Sequence, residues 1–302
     1  MGDIGIIIVT YNSGEEIGAC LEAAVASGAE IVVVDNASQD DTVAEVRRRG
    51  VRLIANAENR GFAGAVNQGF GVLNSPYVLL LNPDAVMQSS LEPLRAASDL
   101  PGSAGAGGQL VDASGRRQAG FMVRRLPTPA ILIMEALVLH RIWPGNPVNR
   151  RYRYGDLDYS LRARVEQPAG AFLMVRREVW QELGGFDERF FPLWFEDVDF
   201  CRRIRDRGYS LYYVPEAVAK HTGGHSITHI GVEMRLNYWY GGLLRYSAKH
   251  FPPFSFGVVC LAVVTGSFLR GMAESALHRS LKPMAAYGKV AGLATRYLFG
   301  GD

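Results

Sequence analysis

Ile4-Gly5-Ile6-Ile7-Ile8-Val9-Thr10-Tyr11-Asn12-Ser13-Gly14 opens as an apolar run and stops abruptly at polar turn residues. A helical pattern carrying Ile17, Leu21 and Val25 follows, and a second apolar run, Ile31 to Val34, ends at Asp35-Asn36. Val43 and Val46 mark another helix, Val51-Arg52-Leu53-Ile54 a third strand, Ala63 to Phe70 a helix and Tyr77 to Leu81 a fourth strand. Short, fully apolar strands alternating with amphipathic helices predict an α/β fold whose mostly parallel sheet is covered on both faces. Four strand exits carry polar groups: Thr10, Asp35, Asn56 to Gly61, and Asn82 to Asp84. Ligands of open α/β sheets bind at the carboxyl ends of strands, so these exits are the predicted site. Asp35 also suits a helix cap, and Asn36-Ala37-Ser38 a turn.

A chain of 302 residues, 48% of them hydrophobic, can bury a full core and carry one large domain with an appendage. The formal net charge of +2 arises from nearly balanced acids and bases, which leaves no electrostatic footprint for nucleic acid. Lys220, Lys249, Lys282 and Lys289 are the only lysines among 32 positive charges. An arginine excess suits forked phosphate contacts and equally suits compositional bias. Cys20, Cys201 and Cys260 are far apart and odd in number, which excludes a disulfide framework and zinc spacing. The first residues enter an apolar strand without the basic, apolar and cleavage regions of a secretory signal, so a cytoplasmic catalytic portion is expected.

In Asn59-Arg60-Gly61-Phe62-Ala63-Gly64-Ala65-Val66-Asn67, two glycines and a cation open a helix, where free amides and the dipole attract anions such as a diphosphate. The same glycines suit plain close helix packing. After Asp84 the alternation fades through a Gly/Ala/Ser-rich stretch from Gly102 to Gly108. Arg124-Arg125-Leu126-Pro127 and the basic, Pro-rich Trp143 to Arg153 read as long loops of the kind that cover substrates. Gln167 to Val175 reads as a strand, and Arg176 to Leu183 as a short helix stopped by Gly184-Gly185.

Asp84, after Pro83 at the end of an apolar strand, is placed to offer a hard oxygen ligand to a divalent cation, or to serve a turn. Trp194-Phe195-Glu196-Asp197-Val198-Asp199 precedes an amphipathic helix, where first-turn acids are favoured by the dipole. Asp199 fits that role. Glu196 and Asp197 fit it less well, because neighbours such as Phe190, Phe191 and Leu193 raise carboxyl pKa values at a cost that a function would offset.

In combination and order, Val9-Thr10-Tyr11-Asn12, Val34-Asp35-Asn36-Ala37-Ser38, Asn59 to Asn67, Leu81-Asn82-Pro83-Asp84, Gly170-Ala171-Phe172, Gly184-Gly185-Phe186-Asp187-Glu188 and Phe195-Glu196-Asp197-Val198-Asp199 make residues 4 to 225 resemble family 2 glycosyltransferases of the GT-A fold, close to bacterial rhamnosyltransferase-type members. The resemblance implies that Thr10, Tyr11, Asn12 and Asp35 hold the base and ribose of a nucleotide-diphosphate sugar, with Arg60, Gly61, Asn82 and Gly170 also on the donor. It implies that Asp84 is the surviving acid of a DxD-like motif whose first acid is Asn82, that His221 is a late ligand of Mg²⁺ or Mn²⁺, and that His225 is a weaker candidate. Asp197 is implied as the general base toward the acceptor hydroxyl, with Glu196 shaping the pocket.

The C-terminal part changes character. Arg235 to His250 mixes aromatics and cations in a way suited to a membrane interface, and Phe254 to Leu269 is an apolar stretch ended by Arg270. About 16 residues falls short of the roughly 20 that span a bilayer, which predicts a re-entrant or interfacial helix followed by a basic tail of Arg270, His278, Arg279, Lys282, Lys289 and Arg296 meeting anionic lipid. A buried helix packed on the domain or on a second copy, making a homo-oligomer, is the alternative. The expected organisation is therefore a GT-A catalytic domain over 1–225 and a helical membrane-associating region over 226–302. The expected function is inverting transfer of a sugar, such as L-rhamnose from dTDP-rhamnose, to a polyprenyl-diphosphate-linked glycan at the cytoplasmic membrane face. A sugar nucleotidyltransferase and a sugar-nucleotide-binding scaffold are the rival readings.

Overall fold

The computed structural model describes residues 2–223 and 230–300. The parallel half of the sheet comprises β1 (Ile4–Thr10), β2 (Glu30–Asp35), β3 (Arg52–Ala55) and β4 (Tyr77–Leu81), connected by α1 (Ile17–Ala26), α2 (Thr42–Arg48) and α3 (Gly61–Val72). Successive side chains of a strand point to opposite faces, so each apolar run feeds two cores. Ile6, Ile8, Val33 and Leu79 enter one, while Ile7, Val32, Val34 and Leu80 enter the other.

The remaining strands make the sheet mixed. After β5 (Ala85–Met87) and α4 (Glu92–Ser98) come β6 (Ser103–Val111) and β7 (Val123–Arg124), then β8 (Ala163–Val165), β9 (Gln167–Pro168), β10 (Phe172–Arg176) and β11 (Ser210–His221). The main sheet runs β3-β2-β1-β4-β10-β6-β11-β5, with β8 on β11, while β7 and β9 pair separately. β10 is antiparallel to both β4 and β6, and Leu81 faces Phe172. The single strand expected over Gln167 to Val175 is broken at 169–171, where the chain turns beside the end of β4.

The glycine-rich segment after Asp84 is a buried central strand, contrary to its loss of alternation in the sequence. Large neighbours fill the space its side chains leave: a Cβ at Gly108 would lie 2.3 Å from the Phe172 ring. The loop expected over Trp143 to Arg153 contains a helix, α7 (Pro147–Tyr152), and α5 (Pro129–Ala136) and α6 (Leu139–Ile142) fill the chain before it. Thr128 and Asn146 accept from the amides of Ile131 and Asn149, and proline occupies the first helical turn of both capped helices. There its missing N–H costs nothing.

Arg177–Leu183 forms α8 and Glu196–Asp206 forms α9. The tail folds as α10 (Val232–His250), α11 (Pro253–His278) and α12 (Lys282–Leu298). Phe190 and Phe195 share a third core with Tyr240, Leu243, Tyr246, Val259 and Val290, so these helices pack onto the segment that carries the acids. α11 runs past the 16-residue apolar stretch because Arg270 turns inward and donates to the carbonyls of Glu135 (2.6 Å) and Ala136 (3.2 Å). Lys289 pairs with Glu233, so two of the cations expected to meet lipid have protein partners. By length and composition α11 suffices to cross a membrane.

Asp199 ties tail to domain. Its buried carboxylate meets His250 Nε2 at 2.7 Å, Lys249 Nζ at 2.8 Å and Arg203 Nε at 2.8 Å, and Lys249 also reaches Asp187 at 2.7 Å. Burial alone raises the Asp199 pKa, but His250, Arg203 and Lys249 hold it below the ordinary 3.8. The first-turn acid is thus a structural ion-pair centre. Removing one partner of a buried pair costs about 3–5 kcal/mol, so Asp199→Ala lowers the melting temperature strongly at pH 7. A depressed carboxyl stabilises above its unfolded pKa and loses that contribution as pH falls through the folded one. Melting curves from pH 6 down to pH 3 are therefore expected to show the gap between wild type and variant closing, and a constant gap contradicts this role.

Candidate active site

One cavity of about 380 Å³ is lined by Asn82, Pro83, Asp84 and His221 and also by Gly170, Glu196 and Asp197. Strand pairing accounts for the convergence. The register of β5 with β11 sets His221 opposite Ala85, and the Asn82 amide donates to the Ala171 carbonyl at 3.0 Å. His221 Nε2 lies 3.5 Å from Asp84 Oδ1, while the Gly223 amide donates to Asp84 Oδ2 at 3.0 Å. Burial lowers the His221 pKa and the Asp84 carboxylate opposes that shift; the net direction favours neutral imidazole, the form that binds a metal. Among the described residues no three His, Cys, Asp or Glu groups converge, and Asp84 and His221 offer one hard oxygen and one imidazole nitrogen. His225 lies outside the described residues.

Asp197 and Glu196 open α9, where the helix dipole faces them. The Gly170 amide (3.2 Å) and Gln167 Nε2 (3.4 Å) donate to Asp197 Oδ2, and the Val198 amide donates to Oδ1 (2.8 Å). Burial nevertheless raises the Asp197 pKa, against those amides and the charge of Arg124. Glu196 is raised further, by burial and by the neighbouring Asp197 charge, and its Oε2 has no hydrogen-bond partner. Trp194 and Phe195 just before them have φ of 76° and 74°, a conformation costing about 1–3 kcal/mol each in a non-glycine residue. Aromatic packing holds it: Trp239 sits 5.7 Å from Trp194 and 5.2 Å from Phe195, and Tyr246 5.7 Å from Phe195, between ring centroids.

Thr10, Tyr11, Asn12, Asp35, Arg60 and Gly61 continue the same sheet edge but do not line this cavity; Val9 and Phe62 do. Thr10 Oγ1 donates to Asp35 (2.8 Å), whose other oxygen takes the Ser38 amide (2.9 Å), and Asn12 Oδ1 takes the Gln39 amide (2.7 Å). Tyr11 is 38% exposed. Gly61 has φ of 75°, and a Cβ there would lie 2.9 Å from the Phe191 ring. The Gly61 and Phe62 amides are already bonded to Asn59 (2.8 Å) and Pro192 (2.7 Å), and the cationic Arg60 side chain of this loop is exposed.

The comparisons follow this geometry. The model described as "Glycosyl transferase family 2" matches residues 5–183, and "Glycosyl transferase family group 2" matches 153–290. The chain belongs to glycosyl transferase family 2. It is 33% identical over 239 residues to N-acetylglucosaminyl-diphospho-decaprenol L-rhamnosyltransferase of Mycobacterium tuberculosis (strain CDC 1551 / Oshkosh), covering 73% of this chain and 76% of that relative. It is 27% identical to a low-salt glycan biosynthesis hexosyltransferase of Haloferax volcanii, covering 68% and 62%. The mannosyltransferase of Pyrobaculum calidifontis, solved with GDP-Man and Mn²⁺, superposes with a TM-score of 0.53 at 19% identity over 99% of this chain and 82% of that one. S. aureus TarS in complex with UDP-GlcNAc gives 0.56 at 15% identity, with the same coverage. These glycosyltransferase structures share the GT-A α/β fold with this chain.

As a family 2 glycosyltransferase, the protein is an enzyme, which removes the nucleotidyltransferase and scaffold readings. Sequence reasoning passed over Arg124, Gln167, Phe121 and Trp239, all of which line the cavity. Arg124 was visible only as part of a basic pair in an aperiodic stretch. Its guanidinium lies 5.8 Å from the ring centroids of both Phe121 and Tyr152.

A buried carboxyl with a raised pKa destabilises the fold as pH climbs above its unfolded value, because the unfolded chain ionises first. Glu196→Gln removes that loss. The variant is expected to gain melting temperature over wild type progressively between pH 5 and pH 8; a pH-independent difference contradicts a Glu196 carboxyl whose pKa burial raises.

Proposed function

We propose that the protein is an inverting, metal-assisted glycosyltransferase that moves a sugar from a nucleotide-diphosphate donor, with dTDP-L-rhamnose as the leading candidate, to a polyprenyl-diphosphate-linked glycan at the cytoplasmic membrane face. The observation that carries this reading is the shared cavity of Asp84 and Asp197. The activity of the mycobacterial relative suggests the sugar and the acceptor class.

Asp84 and His221 fit a divalent cation, since a carboxylate oxygen and an imidazole nitrogen, both types of metal ligand, face each other across 3.5 Å. Bound there with the donor diphosphate, Mg²⁺ or Mn²⁺ supplies charge neutralisation for the departing nucleoside diphosphate. The chain's own residues do the rest. Ionised Asp197, fixed by the Gly170 and Val198 amides, takes the proton of the acceptor hydroxyl as that oxygen attacks the anomeric carbon and the carbon–oxygen bond to diphosphate breaks. A single displacement inverts the anomeric centre. Its raised pKa makes Asp197 a stronger base than an ordinary aspartate. Glu196, its carboxyl pKa raised by burial and by the Asp197 charge, lines the cavity where the sugar would lie. On the β1 and β2 side, Thr10, Tyr11, Asn12 and Asp35 frame the nucleoside, and Arg60 supplies positive charge.

Membrane attachment follows from α11. Phe254, Leu261 and Phe268, at seven-residue spacing, are 84%, 56% and 57% exposed and form one apolar stripe on its outer side. Ile142 and Trp143 are 77% and 62% exposed. A lipid-linked acceptor cannot leave the bilayer, and this face brings the enzyme to it.

Asp197→Asn is expected to keep donor binding, read as thermal stabilisation by dTDP-rhamnose, while transfer to a polyprenyl-diphosphate-linked N-acetylglucosamine falls about 10²–10⁴-fold. Retained transfer removes Asp197 from its role. Replacing Phe254, Leu261 and Phe268 together by Asp is expected to abolish co-flotation with vesicles containing anionic lipid; unchanged flotation rejects the membrane face.

A further inference from the structure

Gln118 and His221, far apart in sequence, meet through both ends of the glutamine amide. Gln118 Nε2 donates to the backbone carbonyl of His221 at 2.7 Å, and Gln118 Oε1 lies 3.0 Å from His221 Nδ1. The first contact fixes the orientation of the amide, because a carbonyl oxygen only accepts and the NH₂ end must face it. The Oε1 end then faces Nδ1, and an amide oxygen also only accepts, so Nδ1 carries the ring proton. Neutral imidazole has one N–H, which leaves Nε2 as a bare lone pair. That lone pair points toward Asp84 Oδ1 at 3.5 Å, beyond a formed hydrogen bond. Two acceptors thus confront each other in a buried place, an arrangement that a cation between them relieves.

We propose that Gln118 is a positioning residue that locks His221 in the Nδ1–H tautomer and so holds Nε2 ready as a ligand opposite Asp84; this rests on the reading of Asp84 and His221 as the cation site. The turn that carries Gln118 completes the clamp. The amides of Phe121 (3.0 Å) and Met122 (3.1 Å) donate to the Gln118 carbonyl, and Phe121 stacks on the imidazole with ring centroids 5.3 Å apart and planes at 13°. The ring is therefore gripped through its edge by an amide and on one face by an aromatic, while its remaining nitrogen faces the cavity. Partners of this kind orient ligating histidines and raise their basicity, and their loss typically weakens metal binding 10–100-fold.

The test compares wild type with Gln118→Leu, which removes both contacts, and Gln118→Glu, which keeps an acceptor for Nδ1–H and loses only the donor. Nitrogen-15 NMR of His221 without metal at pH 8 is expected to show the Nδ1–H tautomer in wild type and Gln118→Glu, and a mixture in Gln118→Leu. Mn²⁺ titrated with dTDP present and followed by electron paramagnetic resonance is expected to bind Gln118→Leu 10–100-fold more weakly than wild type, and Gln118→Glu within several-fold. Since both variants lose the donor bond, a folding defect from that loss would appear in both melting curves and not in Gln118→Leu alone. An Nε2–H tautomer in wild type, or equal Mn²⁺ affinity in wild type and Gln118→Leu, overturns the role of Gln118 while leaving the cation site standing. Wild type that binds no Mn²⁺ overturns the cation site itself, and this inference with it.

Discussion

The antiparallel pairing of β4 with β10 is the constraint on which the site depends. Each strand ends in a loop that carries chemistry: Asn82 to Asp84 after β4, and Ala169 to Ala171 before β10. With Leu81 opposite Phe172, and the Asn82 amide on the Ala171 carbonyl, the two loops are held side by side at one end of the sheet. Asp84 belongs to the first loop, and the second loop grips Asp197 through the Gly170 amide. A slip of one residue in this register would turn every side chain of β10 to the other face and break that alignment.

The tail helices contribute to the same geometry from the opposite side. Trp239 and Tyr246 of α10 pack on the left-handed pair Trp194 and Phe195, whose backbone aims Glu196 and Asp197 into the cavity. Asp199, one turn deeper in α9, holds the end of α10 through Lys249 and His250. The acids of Glu196-Asp197-Val198-Asp199 therefore divide into two that line the cavity and one that anchors the helix supporting them. The tail helices thus buttress the segment that carries the two cavity acids.

The parallel half of the fold was legible because fully buried strands must be apolar throughout, and β1, β2 and β4 are. β6 was not legible: a side chain at Gly105, Gly107 or Gly108 would meet the Met174 carbonyl, Pro168 or the Phe172 ring, neighbours that only the folded sheet brings there. The Pro-rich segment Trp143 to Arg153 read as a loop, yet Pro147 starts a helix behind the Asn146 cap. The apolar length of α11 was underestimated because Arg270 looked like an end, whereas the fold gives its guanidinium backbone carbonyls. At the site, Asp84, Glu196 and Asp197 stood out by residue type and surroundings, while His221 entered only through the family resemblance. Gln118 and Arg124 carried no such signal, since their meaning arises only when 118–124 folds against His221 and α9. Asp199 was readable as a first-turn acid, but its ion pairs with the tail reach 50 residues along the chain.

The central claim is that one cavity holds the diphosphate end of a donor near Asp84 and the base Asp197 across from it. A crystal structure of the protein with Mn²⁺ and dTDP tests it most directly. The account predicts metal density between Asp84 and His221, phosphate oxygens completing its coordination, and the Asp197 carboxylate facing the terminal phosphate across open space for a sugar. Nucleotide bound away from this cavity, or with Asp197 walled off from the phosphates, would contradict it.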